Sequence, residues 1–205
     1  NGEMIKRSYS LCSSPLTDQE FKITIKKVAG GKASTFLCER AMEGQIVRTT
    51  PPAGHFFKPT LDSTKFFLFA AGSGITPIYS ILKTVLAANP ANQVSLLYCN
   101  RNETSIIYSK ELTELEKKSH GRLKIHHLLT QPSNAWTGNR GRCTTAWIGK
   151  VLKEDSVPNL AKEYYLCGPD GFMSGVKSSL EELNIDKNHL REESFAIGIQ
   201  QPKAP

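Results

Sequence analysis

The stretch FFLFAAGSGITP, Phe66–Pro77, decides the fold of this chain. Its first half is a continuous apolar run, which is typical of a parallel strand buried on both faces. Small residues follow, and Pro77 suits the first turn of a helix. A buried strand that passes through glycines into a helix predicts the opening unit of a doubly wound α/β domain.

The same order of strand and helix is repeated further along the chain. Buried strands are predicted at VSLLYC, RLKIHHLLT and EYYLCG, and EESFAI is a candidate closing strand. Helices are predicted at IYSILKTVLAAN, SIIYSKELTELEKK, TTAWIGKVLKE and FMSGVKSSLEEL. This alternation predicts a parallel doubly wound sheet, which we assign to residues 62–199 as an NAD(P)-binding domain.

The first third of the chain has a different pattern. RSYSLCS, EFKITIKKV and QIVRTTPP alternate or cluster as strands do, and a short helical segment follows the Gly-Gly turn in GGKASTFLCERAME. Closely spaced strands with turn signals predict an antiparallel sheet or barrel. We therefore expect part of an antiparallel β-barrel over residues 1–61, and a linker in the polar tail, residues 200–205.

The composition limits the possible functions. The chain has 205 residues and a formal net charge of +7, with 39% hydrophobic and 22% charged residues. No apolar run approaches the roughly 20 residues of a membrane helix, and the start lacks an apolar signal core, so we expect no membrane association. The basic residues are scattered, so we expect no nucleic acid; the charge suits an anionic cofactor or an acidic protein partner.

The cysteines predict neither a metal site nor a disulfide framework. Five are present, an odd number, and no two have a short metal-binding spacing. Zinc and an iron–sulfur cluster bound by this chain are therefore not expected, and a reducing cytoplasm is the expected location. The five are Cys12, Cys38, Cys99, Cys143 and Cys167.

The motif after the first buried strand is G-x-G-x-x-P. Its small residues let a phosphate approach the backbone, and the helix that follows supplies unpaired N–H groups and a partial positive charge. A tight structural turn is the alternative. Because the motif follows the first buried strand, we interpret it as a phosphate site.

Two further strand ends carry candidate residues. YLCGPDGF places Cys167 and Gly168 beside the glycine loop, although a lone buried cysteine is also an ordinary apolar residue. YCNRNETS ends a strand in Asn100 and Arg101, where an NAD site usually has an acidic residue. A cation suits a 2′-phosphate, which favours NADP(H) over NAD(H), and a solvated loop arginine is the alternative. Arg140 and Arg142 in GNRGRC are candidates for the same rim.

Taken together, these motifs resemble the ferredoxin–NADP⁺ reductase superfamily from Arg7 to about Phe195. The resemblance implies that Arg7 binds the FAD pyrophosphate, Tyr9 stacks on the flavin, and Ser10 hydrogen-bonds near flavin N5. It gives Thr76 a place near the nicotinamide and Cys167 one near its C4. With the residues above, the implied cofactor-binding set is Arg7, Ser8, Tyr9, Ser10, Gly31, Lys32, Ala33, Ser34, Gly72, Ser73, Gly74, Thr76, Pro77, Asn100, Arg101, Cys167, Gly168, Pro169 and Phe195, with Ser10 and Cys167 as catalytic residues.

Within the superfamily, YCNRNETSIIYSKEL and HLLTQP are most similar to reductase components of multicomponent oxygenases, especially the phenylacetyl-CoA epoxidase type. This implies hydride transfer from NADPH to FAD and electron transfer to a ferredoxin or oxygenase component. In that family a [2Fe–2S] domain follows the NADP domain, so the cluster is expected only on a missing domain or a partner.

Three alternatives stay open. They are an NADH-dependent reductase of the flavohaemoglobin or cytochrome b5 reductase kind, a non-catalytic flavin relay subunit, and a plain nucleotide-binding module. The family's barrel has strands before R-x-Y-S, whereas this chain has six residues there. We therefore expect the chain to be a middle piece of a longer protein, and expect it to hold FAD poorly by itself.

Overall fold

The computed structural model describes residues 5–60 and 62–195. Residues 62–195 contain a six-stranded parallel sheet with helices on both faces. The strands are β1 (Thr64–Ala71), β2 (Gln93–Asn100), β3 (Leu123–Leu129), β4 (Asn139–Arg140), β5 (Ala161–Gly168) and β6 (Leu190–Ser194). The helices are α1 (Lys32–Glu39), α2 (Ile75–Ala88), α3 (Ser109–Lys118), α4 (Thr145–Glu154) and α5 (Asp170–Glu182).

The strand order β4-β3-β2-β1-β5-β6 places the ligand crevice. The chain builds outward from β1 to β4 and then returns to the other side of β1 with β5 and β6. The direction of winding therefore reverses between β1 and β5. Ligands of open α/β sheets bind at the carboxyl ends of the strands at such a reversal, which here is the junction of the loops after Ala71 and Gly168.

Two apolar clusters lie on the opposite faces of this sheet. All eight residues of β1 are buried, as the continuous apolar run predicts. Successive side chains of a strand alternate between faces, so Leu68 packs with α2 and α3 residues while Phe69 packs with those of α4 and α5. The predicted α/β domain is thus confirmed, and only the two-residue β4 was not foreseen.

The three strands predicted in the first third of the chain are wrong as regular strands in the described residues. The backbone there forms one antiparallel bridge, Leu11 with Ile23, and the helix α1 that was expected after the Gly-Gly turn. Alternation decides which side chains share a face, but a strand also needs a continuous hydrogen-bonded partner. Without one, apolar side chains of the predicted strands stay exposed: 83% of Phe21 and 93% of Ile46 are accessible.

A polar interface joins the first third to helix α2. Ser80 Oγ donates to the Ser13 carbonyl at 2.7 Å, and Lys83 Nζ lies 2.5 Å from Asp18 Oδ2. The Lys83 hydrogen bond is the main reason that the pKa of Asp18 falls to about 2. These contacts hold residues 13–18 against the middle of α2.

Aromatic packing makes a second connection. The Tyr165 ring lies 5.6 Å from that of Phe56 and 6.0 Å from that of Phe57, centroid to centroid. The PAGHFF segment is therefore fixed on β5, one strand from the glycine loop. Over the described residues, no helix is long and apolar enough to cross a membrane.

Candidate functional site

The glycine loop after β1 packs directly on the turn after β5. A Cβ placed on Gly74 would lie 2.2 Å from the Cys167 carbonyl oxygen, a distance that no side chain tolerates. Gly72 has a φ of +53°, in the left-handed region that favours glycine. Both glycines of the motif are thus required by the backbone, and the two loops predicted to be neighbours are in contact.

Hydrogen bonds from buried side chains fix the shape of this loop. Tyr98, fully buried on β2, donates its hydroxyl to the Gly72 carbonyl at 3.1 Å and accepts from the Ile107 N–H at 3.2 Å. Thr76 donates to the Ser73 carbonyl at 3.0 Å. Pro77 is the third residue of α2. N–H groups in the first turn of a helix have no intrahelical acceptor, so the missing N–H of proline costs no hydrogen bond there. The predicted nucleotide loop is therefore rigid before any ligand binds.

A cavity of about 520 Å³ opens at the carboxyl ends of β1, β2 and β3 and reaches the first turns of α5. Three cations line it: Lys26, Arg101 and Arg142. None of the three forms an ion pair with a carboxylate in the part of the chain that the structure describes. The cavity is therefore a basic site suited to an anionic ligand.

One buried polar atom in this cavity makes no well-formed hydrogen bond among the described residues, although it approaches the Tyr98 hydroxyl. Asn100 is buried and lines the cavity, and its Nδ2 makes no hydrogen bond within the described residues. An unsatisfied buried donor costs about 1–3 kcal/mol, so it needs an acceptor from water or a ligand. Gly171 and Gly175, also in the lining, have open space where a Cβ would stand. These observations fit a dinucleotide with phosphate and ribose oxygens.

The two arginines predicted after β3 have different environments. Arg142 lines the cavity, as expected. Arg140 lies outside the lining, and its Nη2 donates to the carbonyls of Ser133 at 2.9 Å and Trp136 at 2.6 Å. Arg101 donates its Nε to Gln131 at 2.7 Å, which leaves its terminal nitrogens available to the cavity.

A second cluster joins the first third of the chain to β5 and β6. Ser10 Oγ donates to Glu193 Oε2 at 3.1 Å, and Glu193 is the register partner of Cys167. Burial raises the pKa of Glu193, although the Ser10 hydrogen bond opposes this. Burial also raises the pKa of the Cys167 thiol, and the Glu193 charge adds to the effect. Cys167 is therefore a neutral thiol at neutral pH, and Ser10 and Cys167 share one carboxylate.

The remaining predicted flavin residues of the first third range from exposed to buried. Arg7 is exposed and donates to the Lys6 carbonyl at 2.8 Å, and Tyr9 is half-buried. Ser34 is buried, and its hydroxyl accepts from the Val28 N–H at 3.1 Å. No hydrogen bond links Arg7, Ser8 or Tyr9 to Gly31, Ala33 or Ser34 among the residues described. The structure thus brings Ser10 to Glu193, beside Cys167, but does not join the two predicted pyrophosphate segments.

These residues fit FAD in part. The hydrogen bond of Arg7 goes to a backbone carbonyl, so its charge remains available to a pyrophosphate. Ala33 and Ser34 lie in the first turn of α1, where backbone N–H groups have no intrahelical acceptor. Phe195 follows β6 and is 41% exposed, as a ring that covers a planar ligand would be.

Sequence reasoning missed two residues of the site. Lys26 was placed in a predicted strand, yet it reaches the cavity from the first third. Glu193 lies within the quoted EESF motif, but only Phe195 was singled out there. Glu193 could have been found, because a carboxylate in the predicted closing strand would lie beside the strand that ends in Cys-Gly-Pro. No local sequence pattern marked Lys26.

Comparisons with known proteins agree with this geometry. Residues 68–178 match the oxidoreductase NAD-binding domain, and residues 1–57 match the oxidoreductase FAD-binding domain. The ferredoxin reductase component of 3-ketosteroid-9-alpha-monooxygenase from Mycobacterium tuberculosis is 37% identical over 93% of this chain and 50% of its own length. One of the subunits of the 1,2-phenylacetyl-CoA epoxidase from Escherichia coli is 28% identical over 95% of this chain and 55% of its own length.

A solved structure has the same fold. The CS-b5R domains of human Ncb5or in the NAD⁺ form superpose with a TM-score of 0.81 at 28% identity, covering 95% of this chain and 57% of theirs. The chain spans about half the length of the curated relatives it matches.

Proposed function

The chain belongs to the oxidoreductases with this NAD-binding domain, here preceded by their FAD-binding domain, and we propose that it passes electrons from NADPH through FAD to an iron–sulfur acceptor of an oxygenase system. The acceptor is a ferredoxin, a tethered [2Fe–2S] domain or an oxygenase component. The relatives from a monooxygenase and an epoxidase, the first of them a ferredoxin reductase component, support this choice. The proposed domains are residues 1–61 for FAD and 62–199 for the nucleotide.

The junction of Ser10, Glu193 and Cys167 carries the proposal. It is the point at which a hydroxyl from the FAD-binding segment and a thiol from the nucleotide-binding sheet both lie beside one half-buried carboxylate, Glu193. Bound NADPH supplies a hydride and bound FAD accepts it, so the protein has to align two planar rings and exclude water. Ser10 is placed at the flavin side, where its single hydroxyl proton would turn from Glu193 to the bound flavin, and Cys167 is placed to pack as a neutral thiol against the nicotinamide.

The nucleotide is held by the glycine loop and the basic cavity. The rigid turn Gly72–Thr76 and the start of α2 face the pyrophosphate, and Pro169 and Gly168 flank it from β5. Arg101 and Arg142 supply the positive charge that a 2′-phosphate needs, and the Asn100 amide supplies a donor for a ribose oxygen. This charge is the basis for NADPH as the preferred donor.

The flavin is held by the first third of the chain. Arg7 binds the pyrophosphate, and the amides of Lys32, Ala33 and Ser34 bind it from the start of α1. Tyr9 and Phe195 contact the planar ring system. The five cysteines are all free thiols, which is consistent with a proposed location in the reducing cytoplasm.

Anaerobic mixing of the FAD-loaded protein with NADPH or NADH tests this function. We expect NADPH to bleach the flavin absorbance in a single turnover, and NADH to do so at least about tenfold less efficiently. Bleaching that is equally efficient with NADH would make the protein an NADH-dependent reductase. Absence of bleaching with both would leave a flavin relay subunit and contradict the enzyme.

A further inference from the structure

Two cysteines line the nucleotide cavity without a role in the proposed hydride transfer. Cys99 is the second-to-last residue of β2, and Cys143 lies between β4 and α4. Leu97 and Cys99 are two residues apart on one strand and therefore share a face. Leu97 and Cys143 both belong to the apolar cluster beneath α4 and α5. Both thiols thus come to the same face of the sheet, at its carboxyl end, from segments more than 40 residues apart in the chain.

The two thiols interact, and the interaction makes them unequal. The proximity of the two thiols raises the pKa of Cys99 and lowers that of Cys143, where burial acts in the opposite direction. Cys143 also follows Arg142 directly, in a cavity with two further cations. The thiolate is the reactive form of cysteine and is stabilised by nearby cations, so the position of Cys143 directly after Arg142 in this basic cavity makes Cys143 the nucleophile and Cys99 the resolving thiol.

We propose that Cys143 and Cys99 form a peroxide-sensitive thiol pair at the edge of the nucleotide cavity, and that their disulfide weakens the binding of NADP(H). The second half of this proposal rests on the proposed function, because it assumes that the cavity holds the nucleotide. The first half concerns the thiols alone.

The chemistry requires hydrogen peroxide as the oxidant and balances in two steps. The Cys143 thiolate attacks one peroxide oxygen, the O–O bond breaks, and hydroxide leaves, which gives a sulfenic acid on Cys143. Cys99 sulfur then displaces the sulfenic oxygen, so that an S–S bond forms and the second oxygen leaves as water. In total, two thiols lose two electrons and two protons, and one peroxide becomes two waters.

The disulfide would change the shape of the cavity, because each cysteine lies within two residues of an arginine that lines the cavity. A disulfide brings the sulfurs to about 2.05 Å, much closer than two sulfurs in a hydrogen bond. The loop that carries Arg142 has to move toward β2, and Arg101 lies two residues beyond Cys99. Both arginines therefore shift from the positions that leave the cavity open. Conversely, a bound nucleotide shields the pair from peroxide.

The other cysteines provide internal controls. The Cys38 thiol is exposed and faces the Ile25 carbonyl, and the Cys12 thiol is buried against the Lys22 carbonyl. Burial raises the pKa of Cys167, so its thiol is unreactive. About one equivalent of peroxide should therefore oxidise Cys99 and Cys143 in preference to the other three cysteines.

Peptide mass spectrometry under non-reducing conditions tests the first half. After peroxide treatment and alkylation, we expect a linked peptide that contains Cys99 and Cys143 and lacks two hydrogens relative to its reduced parts. Cys143→Ser should abolish it, and Cys99→Ser should leave a Cys143 sulfenic acid that dimedone traps. Cys38→Ser is the matched control and should leave the link unchanged. Saturating NADP⁺ should slow its formation at least about fivefold.

Calorimetric titration with NADP⁺ tests the second half. We expect the oxidised protein to bind about tenfold more weakly than the reduced protein, and dithiothreitol to restore the affinity. No linked peptide, or a link to another cysteine, overturns the thiol pair. A link with unchanged affinity overturns the effect on binding. If the reduced protein does not bind NADP⁺ at all, the proposed function and the second half both fail, while the peptide result still decides the first half.

Discussion

The two ends of the parallel sheet use similar charged residues in opposite ways. At the carboxyl end, Lys26, Arg101 and Arg142 line an open cavity and have no carboxylate partner within the described ranges. At the amino end, Lys124 and His126 converge on one buried carboxylate, Asp155. Cations that stabilise the fold are paired, whereas cations that wait for a ligand are not.

The amino-end network is closed on itself. Asp155, 4% exposed, lies 2.8 Å from Lys124 Nζ and 2.6 Å from His126 Nε2, and accepts from Ser95 Oγ at 2.6 Å. Buried Lys65 completes it by donating to Ser95 at 2.8 Å. Burial lowers the pKa of Lys65 to about 8, as expected for a cation removed from water. Both oxygens of this carboxylate are used, so the network holds strands together rather than binding a ligand.

The largest expected effect is the loss of Asp155. Asp155→Ala leaves Lys65, Lys124 and His126 without their counter-charge, and we expect the free energy of unfolding to fall by about 3–5 kcal/mol. Nucleotide affinity of the protein that remains folded should not change. Chemical denaturation measures the first and calorimetry the second. Glu154→Ala, on the exposed pair with Lys150, is the matched control and should cost under about 1 kcal/mol.

At the carboxyl end the expected change is in binding instead of stability. The double variant Arg101→Ala/Arg142→Ala removes two cations. It should weaken the binding of NADPH by about thirtyfold, or about 2 kcal/mol, with little effect on the binding of NADH. The free energy of unfolding should stay within about 0.5 kcal/mol of the unmodified protein. Arg122→Ala is the control at the amino end, where that guanidinium donates to the Leu86 carbonyl. Equal losses for NADPH and NADH would contradict the role of these arginines at a 2′-phosphate.

Acid should unfold the protein partly through the amino-end network. Burial alone would raise the pKa of Asp155, but hydrogen bonds from Lys124, Ser95 and His126 lower it to about 2. A carboxyl with a lowered folded pKa stabilises fully above its unfolded pKa of about 4, and this stabilisation is lost as pH falls toward 2. We expect about 2 kcal/mol of pH dependence that Asp155→Ala removes. The free energy of unfolding is measured between pH 5 and pH 2 for both proteins. Because Asp18 also has a lowered pKa and is present in both, the difference between them gives the contribution of Asp155 alone. If the free energy of unfolding depends on pH equally in the unmodified protein and in Asp155→Ala, the stabilising role of the Asp155 carboxylate is wrong.

The smallest expected effect concerns Lys26. It is exposed and reaches the cavity from the FAD-binding segment. Lys26→Ala should weaken NADPH by about threefold at low ionic strength, and the difference should disappear in about 0.5 M salt because exposed charges are screened. Lys27→Ala, which removes the neighbouring lysine paired with Glu39, should leave the affinity unchanged.

How far the sequence predicted the structure depends on whether the signal was local. Phe66–Pro77 contains the apolar run, the glycines and the helix start in one stretch, so β1, the loop and α2 followed from it. Asn100 and Arg101 were found for the same reason, because they end a recognisable strand. The FAD-binding domain predicted for the first third is confirmed, but its regular strands are not, because pairing partners are not local: the alternating residues Glu20–Val28 form one bridge, and Phe21 and Ile23 stay exposed.

The site residues that were missed are also non-local. Lys26 and Glu193 enter the site from segments that are distant in sequence but fold beside it. A short motif therefore cannot show that either residue will approach the strand ends that form the site. Residue type predicted both Arg140 and Arg142 at the cavity rim, and the prediction was wrong for Arg140, because three backbone carbonyls capture its guanidinium.

An NMR titration of the ¹⁵N-labelled chain with NADP⁺ reports on both ends of the sheet in one experiment. The account predicts that amide signals of Gly72, Gly74, Arg101 and Gly168 shift with saturation, while those of Lys65, Ser95 and Asp155 do not. Shifts confined to the amino end, or no shifts at the carboxyl end at millimolar NADP⁺, would contradict it.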